Sequence, residues 1–134
     1  MQPTRLPLKN FTTQNPITVT EDIAIDELIM LMEGAGIRHL PVVGQGKVIG
    51  IISDRDIRLF SGLSDPEKYQ VCAGDIMSPN PLTLSSNTPL EEVALLMSDK
   101  KVGSVIVVED GQFYGIFTAT DALNALVEVI RDGN

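Results

Sequence analysis

The sequence predicts an α/β (α+β) chain built from two tandem copies of one β-α-β-β-α unit. Three observations predict it: a gapless internal repeat, amphipathic helical segments alternating with apolar β-branched runs, and a glycine turn between the two runs of each copy. A shift of 65 positions carries Asn15-Pro16-Ile17-Thr18-Val19 onto Asn80-Pro81-Leu82-Thr83-Leu84 and Leu31-Met32 onto Leu96-Met97. The same shift carries Leu40-Pro41-Val42-Val43 onto Val105-Ile106-Val107-Val108, Gly46 onto Gly111, Gly50-Ile51-Ile52-Ser53 onto Gly115-Ile116-Phe117-Thr118, and Asp56 onto Asp121.

Each copy opens on a short extended piece, Ile17–Val19 or Leu82–Leu84, after an Asn-Pro whose proline keeps the preceding residue out of the helical region. A helix follows. Its apolar positions are Ile25, Leu28, Ile29 and Met32 in the first copy and Leu90, Val93, Ala94 and Met97 in the second. The second helix start carries Thr88 as N-cap, Pro89 at the first helical position and Glu91 at the third. The runs Leu40–Val43 and Val105–Val108 then pass through Gly44-Gln45-Gly46-Lys47 and Glu109-Asp110-Gly111-Gln112 into Val48–Ser53 and Phe113–Thr118, one hairpin per copy. A closing helix begins after Ser53 and again after Thr118. The second runs from Ala122 to about Arg131, with Leu123, Leu126, Val129 and Ile130 apolar. In the connection, Ser64-Asp65-Pro66 opens a short helix through Tyr69 and Val71. The expected boundaries are 8–62 for the first repeat, 63–75 for the connection and 76–132 for the second repeat. Strands this continuously apolar are buried on both faces, which requires helices over them. A lone unit of about 60 residues buries a low fraction of its surface, so each copy is expected to complete its core with the other.

Composition narrows the function. The 134 residues carry a net charge of −8, no Trp and 4% aromatics. An acidic chain poor in stacking side chains is a poor nucleic-acid binder. One cysteine, Cys72, can form neither an internal disulfide nor a Cys-rich metal site. The N-terminal residues Met1 to Phe11 lack the apolar core of a signal peptide, and no run of about 18 apolar residues occurs. The expectation is a soluble cytoplasmic protein with no membrane partner.

The most specific pattern is Gly-hydrophobic-x-Ser/Thr-x-x-Asp at the end of the last strand. It occurs as Gly50-Ile51-Ile52-Ser53-Asp54-Arg55-Asp56 and, in register, as Gly115-Ile116-Phe117-Thr118-Ala119-Thr120-Asp121. With Asp75-Ile76-Met77-Ser78 before the second Asn-Pro, the doubled pattern resembles a tandem pair of CBS (cystathionine β-synthase) domains, a Bateman module, of the stand-alone prokaryotic type. The resemblance covers about residues 8 to 130. It implies two repeats packed through their sheets with pseudo-twofold symmetry, together one module, and two clefts that bind adenosine compounds such as AMP, ADP, ATP or S-adenosylmethionine. It also implies a homodimer, a regulatory role without enzyme activity or required cofactor, and an unidentified effector protein as a further partner.

An ionised carboxylate can accept two hydrogen bonds from the vicinal diol of a ribose, as acidic residues do in dinucleotide-binding folds. Asp56 and Asp121 fall in the first turn of a predicted helix, where Ser53 or Thr118 and free helix N–H groups can bind polar ligand atoms. The alternative for both aspartates is a plain capping box. The extended pieces holding Thr18 and Thr83, with the Val42 and Val107 regions, can supply an apolar slot for adenine. The resemblance assigns phosphate contacts to Arg38 and His39, and Arg55 lies within the first motif. Arginine suits phosphate through its bidentate fork. A solvated Arg38 and a packed or capping His39 are the alternatives. The candidate ligand-binding set is therefore Thr18, Arg38, His39, Ser53, Arg55, Asp56, Thr83, Thr118, Thr120 and Asp121.

The second copy has Gly103-Ser104 in place of Arg38-His39 and Thr120 in place of Arg55, with Lys100 and Lys101 nearby. The two sites are expected to be unequal. The loop Gly44–Gly50 lacks dinucleotide and Walker spacing and reads as a hairpin turn. Glu21-Asp22 and Glu91-Glu92 suit helix starts. Cys72 has no base partner in view, no residue has metal-site spacing with His39, and no catalytic constellation is present. Two functions remain open: a module sensing an adenosine ligand, and a dimerisation or protein-interaction module with vestigial sites.

Overall fold

The computed structural model describes residues 6–60, 62, 64 and 70–132. In chain order these form a 3-10 turn at Leu8–Phe11, β1 (Thr13–Gln14), β2 (Val19–Thr20), α1 (Ile25–Ala35), β3 (His39–Gly44), β4 (Lys47–Ser53), α2 (Asp54–Leu59) and α3 (Ala73–Ile76). There follow β5 (Ser78–Pro79), β6 (Thr83–Ser85), α4 (Leu90–Lys100), β7 (Ser104–Glu109), β8 (Gln112–Thr118) and α5 (Ala119–Asp132). Residues 65–69 of the short helix expected in the connection lie outside the described residues. Pro16–Pro81 forms one compact unit, and the chain up to Asn15 joins Leu82 onward in the other.

Each unit holds one four-stranded sheet, ordered β2-β3-β4-β5 in the first and β6-β7-β8-β1 in the second. The sequence shift is reproduced in the ladders. Val19 faces Val42 as Leu84 faces Val107, in parallel. His39 faces Ser53 as Ser104 faces Thr118, antiparallel, and both hairpins carry an irregularity after Val42 or Val107. Their two-residue loops, Gln45-Gly46 and Asp110-Gly111, have positive φ throughout, the conformation that matches strand twist and favours glycine at the second position.

The opening strands start later than expected, at Val19 and Thr83. They also differ from one another. The Ile106 N–H donates to the Leu82 carbonyl at 2.8 Å, and Thr83 pairs with Ile106. The matching position in the first sheet is Pro41, which has no N–H to give, so Thr18 stays outside β2. The second closing helix starts at Ala119 rather than Ala122.

Neither sheet is completed by its own repeat. β1 pairs with β8 through Thr13↔Ile116 and Gln14↔Gly115. β5 pairs with β4 through Ile51↔Ser78 and Gly50↔Pro79. Asn15 and Asn80, in the left-handed region at φ 49° and 53°, end these short strands, a conformation asparagine tolerates. The added strand β1, and the residue just before β5, account for the glycine that opens each motif. A Cβ on Gly115 would fall on the Thr13 carbonyl oxygen, and one on Gly50 on the Met77 sulfur.

The segments before these strands are exchanged in the same way. Leu8 and Lys9 donate their N–H groups to the carbonyls of Thr88 and Ser86 at 2.8 and 2.9 Å, as Ala73 and Gly74 do to Ile23 and Glu21 at 2.8 and 2.9 Å. The arm also corrects the expected cap of α4. Pro89, not Thr88, is the N-cap and no side chain caps it. The N–H of Leu90 donates instead to the Leu6 carbonyl at 2.7 Å, which satisfies one of the donors that a helix start leaves open.

One core gathers Ile25, Leu28, Leu40, Val42, Ile52 and Ala73, all fully buried. The other gathers Leu8, Val93, Val105, Val107 and Phe117, also fully buried. Of the apolar residues expected on α4, Val93 and Met97 are buried and Ala94 is exposed. α5 buries only Ala125, and Leu123, Leu126 and Ile130 are more than half exposed.

Candidate functional site

Both motifs sit where a strand ends and a helix begins, and both form capping boxes. The Ser53 N–H donates to Asp56 Oδ2 at 2.8 Å, and the Asp56 N–H donates to Ser53 Oγ at 3.2 Å. The Thr118 N–H donates to Asp121 Oδ2 at 2.9 Å, the Asp121 N–H to Thr118 Oγ1 at 3.3 Å, and the Thr118 hydroxyl to Asp121 Oδ2 at 3.1 Å. The plain structural alternative is thus realised at both turns. The caps use Oδ2 of each carboxylate. A carboxylate has about four acceptor positions, so capping does not exhaust it. Both aspartates are half-buried at the surface end of their turn.

In the Pro16–Pro81 unit, the fold brings His39 opposite Ser53, and the charges of Asp54, Asp56 and Arg38 act on the His39 ring. The Asp54 N–H donates to the Arg38 carbonyl at 2.9 Å, which ties the start of α2 to the start of β3. The Arg38 side chain is exposed. It lines a hollow of about 360 Å³ between α1 and α2 with Glu33, Asp54, Ile57 and Arg58. Arg58 is 3.8 Å from Asp54. Arg55 is exposed on α2, and Thr18 is half-buried just before β2.

In the other unit, Ser104 faces Thr118 and is itself buried. The Ala119 N–H donates to the Gly103 carbonyl at 3.0 Å, matching the Asp54 to Arg38 bond. Thr83 lies in β6, and Thr83 and Thr120 are exposed. Lys100 ends α4 and Lys101 is its left-handed C-cap, so both belong to the exposed helix terminus. Along α4 and α5 runs an apolar groove of about 670 Å³, with Phe117, Leu90, Leu95, Leu123, Leu126 and Val129 among its walls.

Two neighbours of the site were not anticipated. Asp54 is the larger of the two acidic influences on His39. Thr13 donates from Oγ1 to Asp121 Oδ1 at 3.2 Å. The signal for Thr13 was present: the 65-residue shift carries it onto Ser78, so a hydroxyl stands two residues before each Asn-Pro.

Burial holds the His39 imidazole below its ordinary pKa of 6.5, with Asp54 and Asp56 pulling upward and Arg38 downward. The unfolded chain therefore takes up this proton at a higher pH than the folded one. Stability is full above about pH 6.5 and declines as pH falls towards the folded value. The thermal midpoint should drop between about pH 7.5 and about pH 5.5, with a component missing from His39→Asn. Parallel pH profiles for the two proteins would remove His39 as the source. At Cys72, a hydrogen bond from the thiol to Asp75 at 3.3 Å pushes the thiol pKa up, away from nucleophilic use. Among the described residues no cluster of three or more His, Cys, Asp or Glu side chains can hold a metal ion. No helix there is long and apolar enough to cross a membrane.

The family model for the CBS domain matches the chain twice, at residues 8–61 and 73–128. A CBS domain-containing protein of Dictyostelium discoideum is 29% identical over 92% of this chain and 93% of its own length. Enzymes match only in part. This chain covers 23% of an inosine-5'-monophosphate dehydrogenase of Korarchaeum cryptofilum, at 30% identity over 84% of the chain. Among solved structures, CBSX2, an Arabidopsis thaliana protein, has been solved in complex with AMP. That complex superposes with a TM-score of 0.78 at 26% identity, covering 92% of this chain and 98% of that one. The CBS domain pair of protein MJ0100, in complex with 5'-methylthioadenosine and S-adenosyl-L-methionine, gives a TM-score of 0.80 at 28% identity, covering 93% and 98%. These solved neighbours are CBS pairs, and the chain shares their fold.

Proposed function

The chain belongs to the CBS domain family, and from that premise we propose that it is a regulatory module sensing an adenosine-containing ligand of the AMP, ADP or ATP type. The observation that carries the reading is the pair of matched strand-to-helix turns, Ser53 with Asp56 and Thr118 with Asp121. Each presents a carboxylate that its cap occupies through one oxygen. The remaining acceptor capacity suits a ribose diol at Asp56, and at Asp121 once the Thr13 hydroxyl on it gives way. AMP, 5'-methylthioadenosine and S-adenosylmethionine, the ligands of the two relatives, share adenosine and differ in the charge of the 5' group. In this chain that choice falls to Arg38 and Arg55, whose charge favours an anionic 5' group in the first copy, with His39 beside them as a hydrogen-bonding group. The remaining candidates, Thr18, Thr83 and Thr120, would line the base and sugar. S-adenosylmethionine stays a candidate where those basic residues are missing, and no cofactor is required.

To signal, the ligand must favour one conformation over another, read out by an effector protein. The outward apolar stripe of α5 and the groove beside α4 supply the surface for a homodimer. The single thiol fits a reducing cytoplasm. The same apolar surface favours a second reading, a module that docks or dimerises without a ligand.

Thermal shift separates them. A ligand at 100 times its dissociation constant adds about 2.7 kcal/mol to stability, and Asp56→Asn should abolish most of that gain. Silence towards AMP, ADP, ATP and S-adenosylmethionine alike would leave the docking reading. Sedimentation at micromolar concentration as a 14.5 kDa species would refute the homodimer.

A further inference from the structure

We propose that Thr13 makes the two aspartate sites unequal: its hydroxyl occupies the carboxylate of Asp121 and masks it, while Asp56 stays open. The inference rests on the adenosine reading above. Thr13 lies on β1, the strand that reaches this sheet from the N-terminal arm. Its Oγ1 stands 3.2 Å from Oδ1 and 3.4 Å from Oδ2 of Asp121. The strand is fixed there. Thr13 pairs with Ile116 and Gln14 with Gly115, and the Thr13 carbonyl passes where a Cβ of Gly115 would stand.

Asp121 therefore already receives the Thr118 N–H, the Thr118 hydroxyl and the Thr13 hydroxyl. A carboxylate offers about four acceptor positions, so a diol that needs two of them must displace one donor, and Thr13 is the one on Oδ1, the oxygen that the cap leaves open. At Asp56 the partner among the described residues is the Ser53 N–H, on Oδ2. Ser78 takes the place of Thr13 in that sheet, opposite Ile51, and no bond from it to Asp56 is present among the described residues. The hydrogen-bond asymmetry thus runs in the same direction as the charge asymmetry. The copy that lacks counterparts of Arg38, His39 and Arg55 is also the one whose carboxylate is covered.

Calorimetric titration with AMP of the wild-type chain, Thr13→Val, Thr13→Ser and Asp56→Asn tests this. Valine keeps the β-branched shape without the hydroxyl, and serine keeps the hydroxyl. The wild type should show a tighter and a weaker site, with Asp56→Asn removing the tighter one. Thr13→Val should strengthen the weaker site by roughly three- to tenfold, the worth of one exposed charge-assisted hydrogen bond. Thr13→Ser should leave it unchanged, and adding Asp121→Asn to Thr13→Val should cancel the gain. A weaker site that Thr13→Val leaves unchanged or weakens further overturns the masking and leaves the adenosine reading standing on Asp56. An absence of AMP binding in the wild type and in Thr13→Val alike overturns the reading and the masking together.

Discussion

Leu8→Ala should destabilise the protein by about 3 kcal/mol, within the range for truncating a fully buried leucine, although chain ends are usually loosely held. Leu8 is completely buried, in one cluster with Val93, Met97, Val105, Val107 and Phe117. Its backbone is anchored as well, through the N–H bond to the Thr88 carbonyl, and Lys9 beside it reaches Glu109 at 2.9 Å. The arm cannot swing away to relieve a cavity without giving up these bonds, so the site collapses poorly. Leu59→Ala, at 77% exposure, serves as the control and should change stability by no more than about 0.5 kcal/mol. Urea denaturation of both variants decides it. A loss below about 1 kcal/mol for Leu8→Ala would mean that the arm is not part of this core.

Gly115→Ala should cost about 2 to 3 kcal/mol, and Gly50→Ala distinctly less, although the two glycines hold the same place in the repeat. The new methyl at position 115 meets backbone, the Thr13 carbonyl, and can be accommodated only by pushing β1 off the sheet edge. At position 50 it meets the side chain of Met77, which is unbranched and can turn aside. For a chain of this size the difference corresponds to several degrees in thermal midpoint. Equal losses at the two positions would show that the bare space around the glycine, and not the strand crossing it, sets the requirement.

Much of this architecture was legible in the sequence because it is local. A two-residue glycine turn and an apolar run on either side fix a hairpin without help from elsewhere, and so the shift that aligns Leu40 with Val105 also aligns the ladders His39↔Ser53 and Ser104↔Thr118. The Ser/Thr-x-x-Asp turns were legible for the same reason. What escaped was decided at long range. β1 and β5 are only two residues each, too short for any periodicity to report them, and Thr13 and Asp121 stand 108 residues apart. The cap of α4 was misread because a local rule, Thr88 before Pro89, was overridden by a carbonyl from the distant arm. The late start of β2 was readable in principle, since a proline at position 41 announces that its neighbour will lack a donor.

The loan of strands also bears on proteolysis. A protease that cut the backbone anywhere in residues 61–70 would leave two fragments, each carrying a strand that the other's sheet requires: β1 on the first fragment pairs with β8 on the second, and β5 on the second pairs with β4 on the first. Cleavage would remove the covalent link and leave both clasps closed, so a nicked molecule would persist as one particle until denaturant opened it.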